Sequence, residues 1–153
     1  METIEVMLRD IPFFDGLEAK ELELLAGCAS NARFQEGELL FREGDKADTF
    51  YAVRHGTVAL EMFVPARGAI TIETIEEGEV IGWSWLFPPY RWHFDVRALE
   101  LVRVTAFDAA CLRGKCEADP VLGYSLMSRF AQIMIERLQW TRLRLLDLYG
   151  RGD

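Results

Sequence analysis

The chain has 153 residues, half of them hydrophobic, 12% aromatic and 27% charged, which fits a well-packed globule of one domain and excludes a disordered chain. Its 17 basic and 25 acidic residues leave a formal net charge of −8, a field that repels a phosphate backbone and makes nucleic acid a poor partner. No apolar run approaches the roughly eighteen residues that cross a bilayer, and the opening METIEVMLRDIPFF carries acids where a secretory signal needs bases. The expectation is a single cytoplasmic domain over residues 1–153 with no membrane contact.

From the N-terminus, LRDIPFFDGLEAKELELLAGCAS reads as a helical lead-in whose apolar face is Leu17, Leu22, Leu24, Leu25 and Cys28, with Asp15 as the expected helix N-cap. From Ala32 to Asp108 the period shortens to alternating or briefly apolar stretches. FQEGELLFREG, DTFYAVRHGTVALEMFV, AITIETIEEGEVIG and DVRALELVRVTAFD are the strand regions. Gly37, Gly44, Gly56, Gly68 and Gly78 mark turns. This rhythm predicts a mainly β domain over about residues 32–108, a sandwich or barrel whose glycine spacing suggests a β-roll built by hairpins, with flanking helices.

After Asp108, DAACLRGKCEA predicts a short helix, and Pro120 stands near the start of a longer one over about residues 120–149. Along the long helix Met127, Ala131, Met134, Leu138, Thr141, Leu145 and Leu148 recur at alternating four- and three-residue steps, the seam of a coiled coil with one polar interruption. That seam predicts a homodimer through the C-terminal helix. A second face, Leu126, Phe130, Ile133 and Trp140, is available to pack on the β domain. The three cysteines, Cys28, Cys111 and Cys116, are an odd number in a chain without a secretory signal, so buried or idle thiols are expected and a disulfide framework is not.

Three segments together, LLFREGDKADTFYAVRHGTVAL, GEVIGWSWLF and DVRALELVRVTAFD, resemble the cyclic nucleotide-binding domain of the catabolite activator and kinase regulatory-subunit superfamily. The resemblance covers about residues 10–149. It implies a double-stranded β-helix, a jelly-roll-like β-roll of eight strands, with N-terminal helices and a long C-terminal helix that dimerises and covers a ligand. It also implies a cassette whose short helix offers its N-terminal amides to a cyclic phosphate, beside an arginine, while a glutamate accepts the ribose hydroxyl.

Residues 78–98, GEVIGWSWLFPPYRWHFDVRA, occupy that cassette. Aligned on its flanks, Gly82 stands at the family's glycine, Trp83 replaces the ribose-binding glutamate, and Trp92, His93 and Phe94 replace the Arg-Ser-Ala triplet, with one residue fewer between. Arg91 is the nearest substitute for the missing arginine. Ser84 and Trp85 continue the turn whose amides would face an anion, and Pro88 and Pro89 stop any helix from continuing. On the long helix, Thr141 takes the place of a threonine that contacts the purine in the activator, and Arg142 follows where that family has a small hydroxyl residue.

The sequence therefore leaves two readings open. One is a sensory or regulatory module without a DNA-binding domain, which binds cAMP or cGMP weakly or not at all, takes another small anionic or aromatic ligand, and signals to a partner protein. The other is a ligand-free structural or protein-interaction dimer with its cavity filled by Trp83 or Trp92. Enzymatic and metal chemistry are not expected. His55 and His93 stand far apart, no His-x-His or Cys-x-x-Cys spacing occurs, and the serines lack a nucleophile elbow.

Overall fold

The computed structural model describes residues 3–150. The chain divides after Lys115 into two compact units. The first opens with helix α1 (Ile4–Arg9), a 3-10 turn (Pro12–Phe14) and helix α2 (Ala19–Ala26). Asp15 is not the cap of α2. Its N–H closes the 3-10 turn on the Pro12 carbonyl at 3.0 Å, and Gly16, at φ +84°, turns the chain before the helix can begin. Glu18 takes the cap position, where the carboxylate of Glu21 accepts from its N–H at 3.2 Å.

Eight strands follow: β1 (Ala29–Phe34), β2 (Leu39–Phe41), β3 (Thr49–His55), β4 (Val58–Val64), β5 (Gly68–Ile75), β6 (Val80–Ile81), β7 (Asp95–Ala98) and β8 (Val102–Asp108). They form two four-stranded antiparallel sheets, ordered β1-β8-β3-β6 and β2-β7-β4-β5, the β-roll that the glycine-punctuated rhythm predicts. The five expected turn glycines all have positive φ. β1 begins three residues before the expected Ala32, because α2 ends at Ala26 and releases Cys28 from the helical face.

Adjacent residues of a strand face opposite sides of the sheet, and β3 uses both. Phe50 stacks on Phe107 at 5.0 Å and on Trp85 at 5.4 Å, with Phe14 reaching Phe107 at 5.6 Å. Tyr51, its neighbour, stacks with Phe41 at 6.4 Å and meets Phe34 edge-on at 5.8 Å. Two aromatic layers thus sandwich one strand, and each receives a tryptophan from the cassette, Trp85 on one side and Trp92, by way of Phe41, on the other.

The expectation of unpaired thiols fails for two of the three cysteines. Cys28 and Cys111 are joined by a disulfide, their Cα atoms 5.7 Å apart across 83 residues of sequence. Strand pairing explains the proximity. Ala29 lies opposite Phe107, the Asp108 N–H donates to the Cys28 carbonyl at 2.9 Å, and helix α3 (Ala109–Ala118) then carries Cys111 in its first turn. Cys116 is a free thiol in the second unit. Burial, and then the neighbouring Asp119 and Glu117 carboxylates, push its ionisation up.

The second unit is built on helix α4 (Pro120–Gly150), 31 residues and about 46 Å long. Asp119 caps it, its carboxylate accepting from the Leu122 N–H at 3.2 Å. Leu122, Leu126 and Phe130 are buried at four-residue steps, whereas Leu138, Trp140, Leu145, Leu146 and Leu148 are exposed. Trp140, expected on a covered face with Phe130, is 66% exposed. No helix among the described residues is long and apolar enough to cross a membrane.

Candidate functional site

Strand β6 ends at Ile81 and the chain leaves it through Gly82, at φ +71°, a left-handed backbone that a side chain would strain. A single 3-10 turn (Ser84–Leu86) follows, closed by the Leu86 N–H on the Trp83 carbonyl at 3.0 Å. Pro88 and Pro89, joined by a cis peptide bond, bar a second turn because neither can donate a backbone hydrogen bond. Tyr90 sits at φ +56°, uncommon for a bulky residue, with its N–H on the Phe87 carbonyl at 2.9 Å.

The loop is then stitched to residues 44–47. The Ala47 N–H donates to the Tyr90 carbonyl at 2.7 Å, the Trp92 N–H to the Asp45 carbonyl at 3.0 Å, and the Gly44 N–H to the Trp92 carbonyl at 2.8 Å. Residues 82–93 are therefore one anchored segment, and Gly82, Trp83, Ser84, Trp85, Arg91, Trp92 and His93 all belong to it.

Within the segment the tryptophans have different surroundings. Trp85 is wholly buried and stacks on Phe50. Trp92 is 2% exposed, its ring 3.8 Å from that of Phe41 with 9° between their planes, and Phe94 flanks it at 6.1 Å. The benzo edge of the same indole lies against Gly82, so that a Cβ built there would overlap its Cζ3. Trp83 is half-buried and Ser84 is buried. The space beside Gly82 is filled by carbon.

Charged side chains at the segment are few. Arg91 is exposed and its Nη1 donates to the Gly44 carbonyl at 3.2 Å; His93 is exposed. Glu79 serves its own turn, accepting from the Glu76 N–H at 3.0 Å. The contact that sequence reading misses is Arg113. Its Nη1 donates to the Trp85 carbonyl at 2.6 Å and its guanidinium carbon lies 4.2 Å from the centre of the Tyr90 ring, a cation–π pair. No spacing rule links a residue of α3 to a loop so far back in the chain.

On α4, Thr141 and Arg142 are exposed, and the Thr141 hydroxyl donates to the Arg137 carbonyl at 2.9 Å. In the first unit a groove of about 480 Å³ is lined by residues including Phe41, Arg42, Asp45 and Arg97. Arg97 is engaged there, with Nε 3.1 Å from Glu61 and Nη1 2.9 Å from the Gly37 carbonyl. Among the described residues no three His, Cys, Asp or Glu side chains are grouped to hold a metal ion.

Comparison with known proteins agrees with this geometry. The family model described as "Cyclic nucleotide-binding domain" matches residues 32–119. A crystal structure from Geobacter metallireducens, provisionally named a cyclic nucleotide-binding protein, is 30% identical, covers 90% of this chain and 99% of its own, and superposes with a TM-score of 0.79. A cyclic nucleotide-binding domain from Methylobacillus flagellatus has the same TM-score at 20% identity, over 95% of this chain and 82% of its own. A protein of Rhodopseudomonas palustris, provisionally named a potassium channel protein, is 25% identical over 96% of this chain, which spans about a third, 34%, of that relative's length.

Proposed function

Because this chain belongs to the cyclic nucleotide-binding domain family, we propose that it is a regulatory module of that family in which an indole occupies the nucleotide's place, so that cAMP and cGMP bind weakly or not at all. The observation that carries this reading is Trp92, held face-on by Phe41 and edge-on by Gly82. The resemblance puts the phosphate beside the amides that follow Gly82. A buried, stacked indole there must be expelled before an anion can enter, at a cost of the same order as truncating a buried aromatic, about 3–5 kcal/mol.

The polar anchors support the same reading. Trp83 stands where the family has its ribose-binding glutamate, and an indole N–H donates but cannot accept the hydrogen bond of a ribose hydroxyl. Arg91, the remaining candidate for the phosphate, spends a guanidinium donor on the Gly44 carbonyl. A cyclic nucleotide would thus meet an indole in place of the ribose carboxylate and a second indole in the space beside Gly82.

Output would pass through α4 to a second copy of the chain. The exposed Leu138, Leu145 and Leu148 lie on the seven-residue seam that continues from Met127, and burying such a seam on an identical helix removes apolar surface from water on both chains. Isothermal titration of cAMP and cGMP into the wild type and Arg91→Ala tests the ligand reading. No saturable heat from either protein is expected. A micromolar dissociation constant in the wild type that weakens at least about tenfold in Arg91→Ala would overturn it.

A further inference from the structure

We infer that Cys28 and Cys111 form a redox-responsive site, taking low-molecular-weight disulfides and the corresponding thiols as its exchange partners, and that Arg113 transmits its state to the cassette. The inference rests on the proposal that the chain is a regulatory module whose cassette includes residues 82–93, but not on which ligand, if any, binds there.

The two sulfurs are placed by independent pieces of backbone. Cys28 lies between α2 and β1, where its N–H donates to the Leu25 carbonyl at 3.0 Å and its carbonyl accepts from Asp108 at 2.9 Å. Cys111 lies in the first turn of α3, where its N–H donates to the Asp108 carboxylate at 2.8 Å. Asp108 thus binds both cysteines, Cys28 through its N–H and Cys111 through its carboxylate, and their Cα separation of 5.7 Å is within the range a disulfide requires. None of these hydrogen bonds needs the sulfurs to be joined, so the reduced pair stays poised to reoxidise.

The exchange balances without a metal or flavin. Cys111, the less buried of the two, attacks as thiolate one sulfur of a small disulfide, releasing one thiol and forming a mixed disulfide. Cys28, as thiolate, attacks the Cys111 sulfur of that bond, releasing the second thiol. Two protein thiols are oxidised and one small disulfide is reduced to two thiols; two molecules of the small thiol run the steps backwards, leaving the small disulfide as the oxidised product. Cys116, whose ionisation is pushed up by burial and by the adjacent acids, is the poorer nucleophile.

The consequence for the cassette follows from the position of Arg113, two residues beyond Cys111 on α3. Its guanidinium holds the Trp85 carbonyl on one side of the two prolines and the Tyr90 ring on the other. With the disulfide closed, the first turn of α3 is covalently fixed to the start of β1, and Arg113 clasps the loop from a fixed base. With it open, that turn is held by hydrogen bonds alone and opens locally more often.

Hydrogen exchange and thiol alkylation of the full chain in oxidised or reduced glutathione test both halves. Mass spectrometry should find one alkylated cysteine, Cys116, after oxidised glutathione and three after reduction. Amides of residues 83–91 should exchange at least about fivefold faster in the reduced protein, the lower end of ordinary coupling between sites. Arg113→Ala should leave the alkylation pattern intact while making the loop exchange fast in both states, and Cys116→Ser should behave as the wild type. Three alkylated cysteines in oxidised glutathione would overturn the redox site. Equal loop exchange in the two states of the wild type, or a redox difference preserved in Arg113→Ala, would overturn the coupling. Neither readout involves nucleotide, so both stand apart from the titration that tests the plugged cassette.

Discussion

Gly82 and the indole of Trp92 occupy mutually exclusive volumes: the ring lies where the side chain of any other residue at position 82 would be, with its Cη2 only 3.1 Å from a Cβ built on the glycine. The backbone at Gly82 is also left-handed, at φ +71°. Gly82→Ala therefore combines overpacking with backbone strain and should cost about 3 kcal/mol. Replacing Trp92 by leucine in the same chain should recover part of it, with a coupling of about 1–2 kcal/mol in a double-mutant cycle. Urea denaturation of the four proteins measures both. Additive effects would mean that the two residues do not compete for space.

Truncating the plug is the complementary change. Trp92→Ala removes a side chain stacked at 3.8 Å on Phe41 and should destabilise the protein by about 3–5 kcal/mol, since a rigid roll closes only part of the cavity. An apolar cavity of that shape should accept free indole, which would raise the urea midpoint of Trp92→Ala and leave the wild type unchanged. A loss below about 1 kcal/mol with no response to indole would place Trp92 outside the packed interior.

Much of this arrangement is legible in the sequence and some of it is not, for definable reasons. Positive-φ glycines and alternating strands are local signals, and Gly37, Gly44 and Gly78 stand where the turns are. The anchors of the resemblance, Ile81 with Gly82 and Val96 with Arg97 and Ala98, bound the cassette from both sides, so its tryptophans can be assigned to it. Which tryptophan fills the space depends on Phe41, a residue of β2 brought over by pairing between distant segments. The same non-local pairing hides the Cys28–Cys111 disulfide and the grip of Arg113 on Trp85 and Tyr90. The Asp15 expectation fails for a smaller cause: an acid followed by glycine fits a cap, but here it closes a 3-10 turn.

The exposed leucines of α4 yield a prediction about assembly. Leu138 and Leu145, 50% and 49% exposed in the isolated chain, stand one heptad apart with Thr141 between them. Burying each leucine contributes about 1.5–3 kcal/mol, once per chain. The wild type should sediment as a dimer at micromolar concentration, and Leu138→Lys with Leu145→Lys as a monomer of unchanged helical content. Thr141→Leu should tighten the dimer, because a polar seam residue costs stability. A monomeric wild type would remove the second copy from the functional reading.

The last prediction concerns alkaline pH and the aromatic layer around Phe41. Burial raises the ionisation of Tyr51 above its ordinary value of 10.0, with a hydrogen bond to Thr49 acting in the opposite direction. The unfolded chain therefore releases this proton at a lower pH than the native protein does. Above that value the native state binds more protons than the unfolded state, so stability falls as pH rises through the interval between the two ionisations. Cys116, raised from 9.0, contributes a loss of the same sign beginning at lower pH. Urea midpoints between about pH 8 and 11 should decline in the wild type, and the decline should lessen in Cys116→Ser and again on adding Tyr51→Phe. A double variant with the wild-type slope would show that neither group is retained in its protonated form by the fold.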